Sequence, residues 1–185
     1  MNKILLSACL LVASFVNAQE VSEPEFVGET ILLKIDNTTT PLEKELTQNR
    51  TVASTGLLLS GIGKVRSQVQ IEGCCAEVKI GKNDDVKFII RAVDNNTDPL
   101  SIIKVFKFEQ KKKYRRAEMS ATSNFGSSKS NNLDYISFSG KKYGESSYLI
   151  KLNSSELEPG EYGITISNPN SLDQKQTVIS TFAVK

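Results

Sequence analysis

Leu157-Glu158-Pro159-Gly160-Glu161-Tyr162-Gly163-Ile164-Thr165-Ile166 decides the fold class. Proline presets φ at the first central position of a turn, and glycine tolerates the positive φ that the second position of a type II turn requires. Pro159-Gly160 is therefore expected to form a turn. Beyond it, Tyr162, Ile164 and Ile166 fall on one face, and Gly163, Thr165 and Ser167 on the other. That two-residue period is the mark of a half-buried strand. A tyrosine at the head of such a strand buries its ring while its hydroxyl reaches backbone just upstream.

Outward from this stretch the same rhythm recurs. Residues 26–35, centred on Thr30-Ile31-Leu32-Leu33-Lys34-Ile35, read as a first strand closed by an Asp36-Asn37-Thr38-Thr39-Thr40 turn. Thr40-Pro41-Leu42-Glu43 fits a helix start, with proline first and glutamate third. Leu42, Lys44 and Leu46 nevertheless alternate against Glu43 and Glu45, and the hairpin is the expected form. From Lys64 onward Val65, Val69 and Ile71 point inward, with Lys64, Arg66, Gln68 and Gln70 outward. Further strands are expected over residues 76–80, 86–93, 101–109, 114–120, 134–139, 146–152, 161–167 and 176–184. About nine or ten strands between turn signals, without a convincing amphipathic helix, predict an all-β chain, a single antiparallel β-sandwich.

Leu157-x-Pro159-Gly160-x-Tyr162 resembles the tyrosine corner that leads into strand F of fibronectin type III and immunoglobulin-like sandwiches. The resemblance covers this stretch alone. The chain has no tryptophan, and Ile164 stands where an antibody-type domain places a core cysteine. It implies a sandwich that is immunoglobulin-like in the broad sense. Together with Lys141-Lys142-Tyr143-Gly144-Glu145-Ser146-Ser147-Tyr148, the segment also resembles uncharacterised exported bacterial proteins of unknown function.

Residues 1–18 read as a signal peptide. Lys3 supplies the positive start, residues 4–16 are apolar, and Val16-Asn17-Ala18 sets a cleavage between Ala18 and Gln19. The run is too short to span a bilayer, and Glu20, Glu23 and Glu25 follow it, so no transmembrane segment is expected in the mature chain. Leu6-Ser7-Ala8-Cys9 spells a lipoprotein-like box, but a cut there leaves too short an apolar region after Lys3. Residues 19–185 form one expected domain. Of 23 basic residues one, Lys3, leaves with the leader, and the rest nearly balance 21 acidic residues. Such a balance argues against a nucleic-acid partner.

Of three cysteines, Cys74 and Cys75 remain, side by side after Gly73. Adjacent Cα atoms sit about 3.8 Å apart, below the usual disulfide span, so bonding them closes a tight ring. Three states stay open: a vicinal disulfide at a turn, two partly buried thiols, or pairing to another chain.

The chain has no histidine, which removes Ser-His-Asp triads, Cys-His dyads and imidazole zinc sites. Ser101 and Lys104 lie in an expected strand, where residues three apart point to opposite faces. Asp84-Asp85 reads as a solvated turn. Asp94, Asn96 and Asp98 alternate like calcium donors, yet Pro99 replaces the required glycine and Val105 the bidentate glutamate. An Asx-type turn explains them. Phe106-Lys107-Phe108-Glu109-Gln110-Lys111-Lys112-Lys113-Tyr114-Arg115-Arg116 is the most site-like stretch. It is expected to fold as a hairpin whose Lys107, Lys111, Lys112, Lys113, Arg115 and Arg116 make an anionic-ligand patch.

These readings predict a non-catalytic exported binding or interaction module of the cell envelope or extracellular space, periplasmic or outside the cell. Its expected partner is another envelope protein or a glycan, and no cofactor is implied. Two other readings stand beside it: a carbohydrate-active hydrolase using carboxylates, and a structural subunit of a surface assembly. A glycan binder is expected to line up exposed rings, with Tyr114, Tyr143 and Tyr148 as candidates.

Overall fold

The computed structural model describes residues 21–53, 59, 64–123, 135–167 and 176–185. The signal segment with its Ala18–Gln19 junction and Cys9 lies outside the described residues.

The strands in chain order are β1 (Thr30–Leu33), β2 (Thr39–Pro41), β3 (Glu43–Ala53), β4 (Lys64–Glu72), β5 (Lys79–Ile80) and β6 (Lys87–Arg91). They continue with β7 (Ile103–Gln110), β8 (Tyr114–Ser123), β9 (Phe138–Tyr143), β10 (Ser147–Leu152), β11 (Gly160–Ile166) and β12 (Gln176–Val184). The all-β expectation holds, and residues 40–46 are extended instead of helical, but β2 and β3 do not pair with each other. Instead β2 pairs with β1, β3 pairs with β12 and β4, and Leu46 is exposed while Glu43 reaches Arg115. One departure is Ser101: Asp98 accepts the Leu100 N–H at 2.9 Å and Pro99 opens a helical turn, Pro99–Ile102, before β7 starts.

Two sheets result. The smaller is antiparallel in the order β2-β1-β6-β10-β9. The larger runs β11-β7-β8-β4-β3-β12-β5, and it curls until β11 pairs with β12 as well. Six strands of the larger sheet thereby have neighbours on both sides. The strand β5 departs from the antiparallel expectation, pairing parallel to β12 through Ala183 and Val184.

Curling splits the core in two. Between the sheets lie Phe88, Ile90, Tyr148 and Ile150 from the small sheet and Val105, Tyr162, Ile164 and Phe182 from the large one. Inside the curl lie Val69, Ile71, Phe106, Phe108, Ala117 and Ile179. Strands β7, β11 and β12 serve both spaces by alternation, even residues of β11 facing one and odd residues the other. Half-burial of β11 is therefore corrected: Glu161, Gly163 and Thr165 are buried as well as Tyr162 and Ile164. A Cβ at Gly163 would lie 2.8 Å from the Phe106 ring and 2.9 Å from Ile179 Cγ2, so glycine is what fits.

The tyrosine at the head of β11 does what its position suggests. Its hydroxyl donates to the Glu158 carbonyl at 2.7 Å and accepts the Glu158 N–H at 3.0 Å. Its ring stacks on Phe182 with centroids 5.2 Å apart. Burying each such ring is worth roughly 1.5–3 kcal/mol. The turn ahead of it differs from a type II turn. Gly160 has its positive φ of 153° as the first residue of β11, and a helical 3-10 turn, Ser154–Glu156, precedes it.

Candidate functional site

The basic hairpin forms, and its residues disperse. Glu109 faces Arg116 and Gln110 faces Arg115 across β7 and β8, and the Lys111 N–H closes the turn onto the Tyr114 carbonyl at 2.9 Å. Successive residues of a strand point to opposite sides. Lys107 therefore turns to the space between the sheets, over the Tyr162 ring, and pairs with Glu158 at 2.9 Å. Arg116 and Lys111 both pair with Glu109, and hydrogen bonds from Arg116 first and Lys111 second pull its carboxyl down to about 2.

Arg115 is the main correction. It was expected in a surface patch, but its side chain is 1% exposed inside the curl. It donates to Glu161 at 3.2 Å and to Glu43 at 3.1 Å, with the Phe108 ring 5.9 Å from its guanidinium carbon. The geometry follows from parity: Arg115, Ala117 and Met119 share the inward face of β8. Glu43 also accepts from the Thr181 hydroxyl. Burial pushes the Glu43 carboxyl up, but the hydrogen bonds from Thr181 and Arg115 outweigh it and leave it below its ordinary range. Among the described residues Arg115 Nε has no hydrogen-bond partner, which is the cost of fitting a fork between two strands.

The two carboxylates also reach outward, to the loop of residues 73–78 that joins β4 to β5. Glu161 accepts the Ala76 N–H at 2.7 Å, and Glu43 accepts the Glu77 N–H at 3.1 Å. At the near end Gly73, with φ +81°, donates its N–H to the Lys113 carbonyl at 2.9 Å. Gln110 Nε2 donates to the Cys74 carbonyl at 3.1 Å and lies 3.5 Å from Cys75 Sγ. Cys74 and Cys75 are bonded to each other, their Cα atoms 3.7 Å apart. Of the three states open from sequence, the structure holds the vicinal disulfide.

Two features far apart in sequence are thus brought together: the disulfide loop, seated on Glu43 and Glu161, and the tip of residues 111–113, tied to that loop by the Gly73 N–H on the Lys113 carbonyl. Lys112 and Lys113 are exposed there, with no carboxylate partner among the described residues. Chemically, the Glu43 and Glu161 carboxylates are spent on N–H and O–H donors. What faces outward is the ammonium charge of Lys112 and Lys113 beside the disulfide ring, with the Glu72 and Glu77 side chains exposed on the same segment. Compared with protein-family models, curated proteins and solved structures, the chain matches none.

The other candidate groups resolve simply. Asp94 accepts the Asn96 N–H at 2.9 Å and Asp98 caps the helical turn, both local Asx bonds. Among the described residues no cluster of three metal-ligating side chains occurs. Asp85 pairs with Lys87 at 2.6 Å and Lys151 at 2.7 Å, while Asp84 accepts the Gly81 N–H at 2.7 Å. Both border a cleft of about 430 Å³ floored by Leu32, Ile80 and Val86. The three tyrosines form no row. Tyr148 is fully buried and donates to the Thr97 carbonyl at 2.5 Å, and Tyr143 donates to the Val21 carbonyl.

That last bond belongs to a tie the sequence did not announce. Glu23 accepts from the Glu145 N–H at 2.7 Å, the Ser146 N–H at 3.1 Å, the Ser147 hydroxyl and Arg91 at 2.9 Å. Burial raises its carboxyl, and these donors, Ser147 foremost, more than reverse the shift. The signal available in sequence was a single glutamate before Pro24, and only the fold supplies its partners. No helix among the described residues is long and apolar enough to cross a membrane.

Proposed function

We propose that the chain is a non-catalytic exported interaction module, built on a sandwich that is immunoglobulin-like in the broad sense. In this reading residues 1–18 are removed between Ala18 and Gln19, and residues 19–185 act in the periplasm or outside the cell. The contact surface is the disulfide-braced basic tip, and the partner is an anionic group on another envelope protein or on a glycan. The observation that carries it is the exposure of Lys112 and Lys113 on a loop–turn platform pinned from below by Glu161 and Glu43. A platform fixed in advance loses little entropy on binding. Because Tyr148 is in the core, recognition by charge is favoured over stacking of a sugar on a row of rings.

The test is a sulfated and uronic-acid glycan array, together with heparin beads, probed with the exported chain. Lys112→Ala with Lys113→Ala is expected to weaken retention about tenfold or more at low salt, whereas Lys111→Ala, whose ammonium is already paired, changes it little. Equal retention of wild type and the double variant overturns the reading.

A further inference from the structure

The two edges of the small sheet are unequal. At one end β2 is three residues long and contains Pro41, which has no N–H to offer. Short length and proline are the usual protections of an edge. At the other end β9 runs six residues, Phe138-Ser139-Gly140-Lys141-Lys142-Tyr143, and pairs with β10. Among the described residues no strand covers its outer edge. The large sheet closes on itself through β11 and β12, so among the described residues its order ends only at the two-residue β5.

The surroundings of β9 have a definite chemistry. Gly140 and Lys142 lie opposite the buried Ile150 and Tyr148, so Phe138, Gly140 and Lys142 share the face toward the other sheet. There the helical turn Pro99–Ile102 sits against Gly140, where a Cβ would lie 2.7 Å from Pro99 Cγ. Leu100, the next residue, is 63% exposed. Ser139 and Lys141 are exposed on the opposite face. Lys141 has no carboxylate partner among the described residues, and Lys142 reaches only Asn96 at 3.4 Å.

We infer that the outer edge of β9 accepts an extended, acidic segment of a partner protein as a sixth strand of the small sheet. Backbone N–H and C=O groups of β9 supply the ladder, and alternate side chains of the guest supply specificity. A guest alternating acidic and apolar residues sets carboxylates beside Lys141 and apolar groups beside Leu100. Charge decides against a second copy of the chain, since two β9 edges brought together gather four ammonium groups on one short ladder. This goes beyond the reading of the basic tip and uses none of its residues.

The experiment is amide hydrogen exchange of the exported chain with and without a synthetic peptide of alternating Glu and Val, and with its Lys/Val counterpart. The Glu/Val peptide is expected to slow exchange in residues 138–143 by about tenfold or more and to leave residues 39–41 unchanged. Lys141→Glu with Lys142→Glu is expected to lose that response and gain one to the Lys/Val peptide. Lys141→Gln with Lys142→Gln serves if the reversal fails to fold, and is expected to lose the Glu/Val response. Three results each overturn the inference: no slowing at 138–143, slowing that survives the loss of both lysines, or a peptide-free chain that sediments as a dimer with 138–143 already protected. Lys112→Ala with Lys113→Ala is expected to leave the β9 response intact, so the two readings fail separately.

Discussion

The space between the sheets and the space inside the curl of the larger one are filled by opposite means. Between the sheets the closing contacts are rings and aliphatic chains: Tyr162 on Phe182, and Phe182 tilted against Phe88 at 5.1 Å. Inside the curl, Phe106 and Phe108 with Ile179 give way toward one end to Arg115 between two carboxylates. Apolar contact is non-directional and holds the layers at their spacing. A buried ion pair repays its desolvation only with good geometry, so what it contributes is position. Here the position is that of residues 73–78, whose two N–H groups land on those carboxylates.

The largest effects break the two spaces separately. Phe182→Ala opens a cavity between the sheets, and Arg115→Met leaves two carboxylates without their cation; each is expected to cost about 3–5 kcal/mol in denaturant unfolding. Exchange at Ala76 and Glu77 tells them apart. It is expected to rise in Arg115→Met under conditions where the rest of the chain is folded, and to rise in Phe182→Ala only with global unfolding. Loop amides that stay equally protected in both variants break the contrast.

A smaller effect sharpens it. Gly163→Ala places a methyl between Phe106 and Ile179, on the side of β11 that a half-buried strand would leave to solvent. A loss of about 1–3 kcal/mol is expected from overpacking, whereas an open face would give a slight gain from alanine.

The smallest effect is in pH. Glu43 has its carboxyl below the ordinary 4.5 in the folded chain, so its contribution is fully present above that value and is lost as pH falls through the lower folded one. Protection of the Glu77 amide, its exchange taken relative to the intrinsic rate at each pH, is expected to fall on acidification through this window, and Glu43→Gln to flatten the dependence. A Glu77 amide whose protection is independent of pH removes Glu43 as its anchor.

How much of this was legible is seen residue by residue. The lysine-tipped turn, the strand over residues 176–184 and the Tyr162 corner were all readable, each being local. The patch was readable only as composition: Lys107 and Arg115 were expected to share a face, and the fold sends one between the sheets and the other into the curl. Glu43 and Glu161 gave no sign, because a glutamate at a strand start looks the same whether water or Arg115 awaits it. Gly163 was the available hint, since a glycine inside a strand marks close approach.

By itself the sequence determined most of the strands and the corner at Tyr162, because alternation and turn chemistry are set by neighbouring φ and ψ. Only the tertiary structure decided what covers the second face of β11, where Arg115 goes, and that residues 73–78 meet residues 111–113. Those outcomes depend on pairing β11 with β12 and β12 with β3, contacts between segments far apart in the chain, which no local pattern encodes.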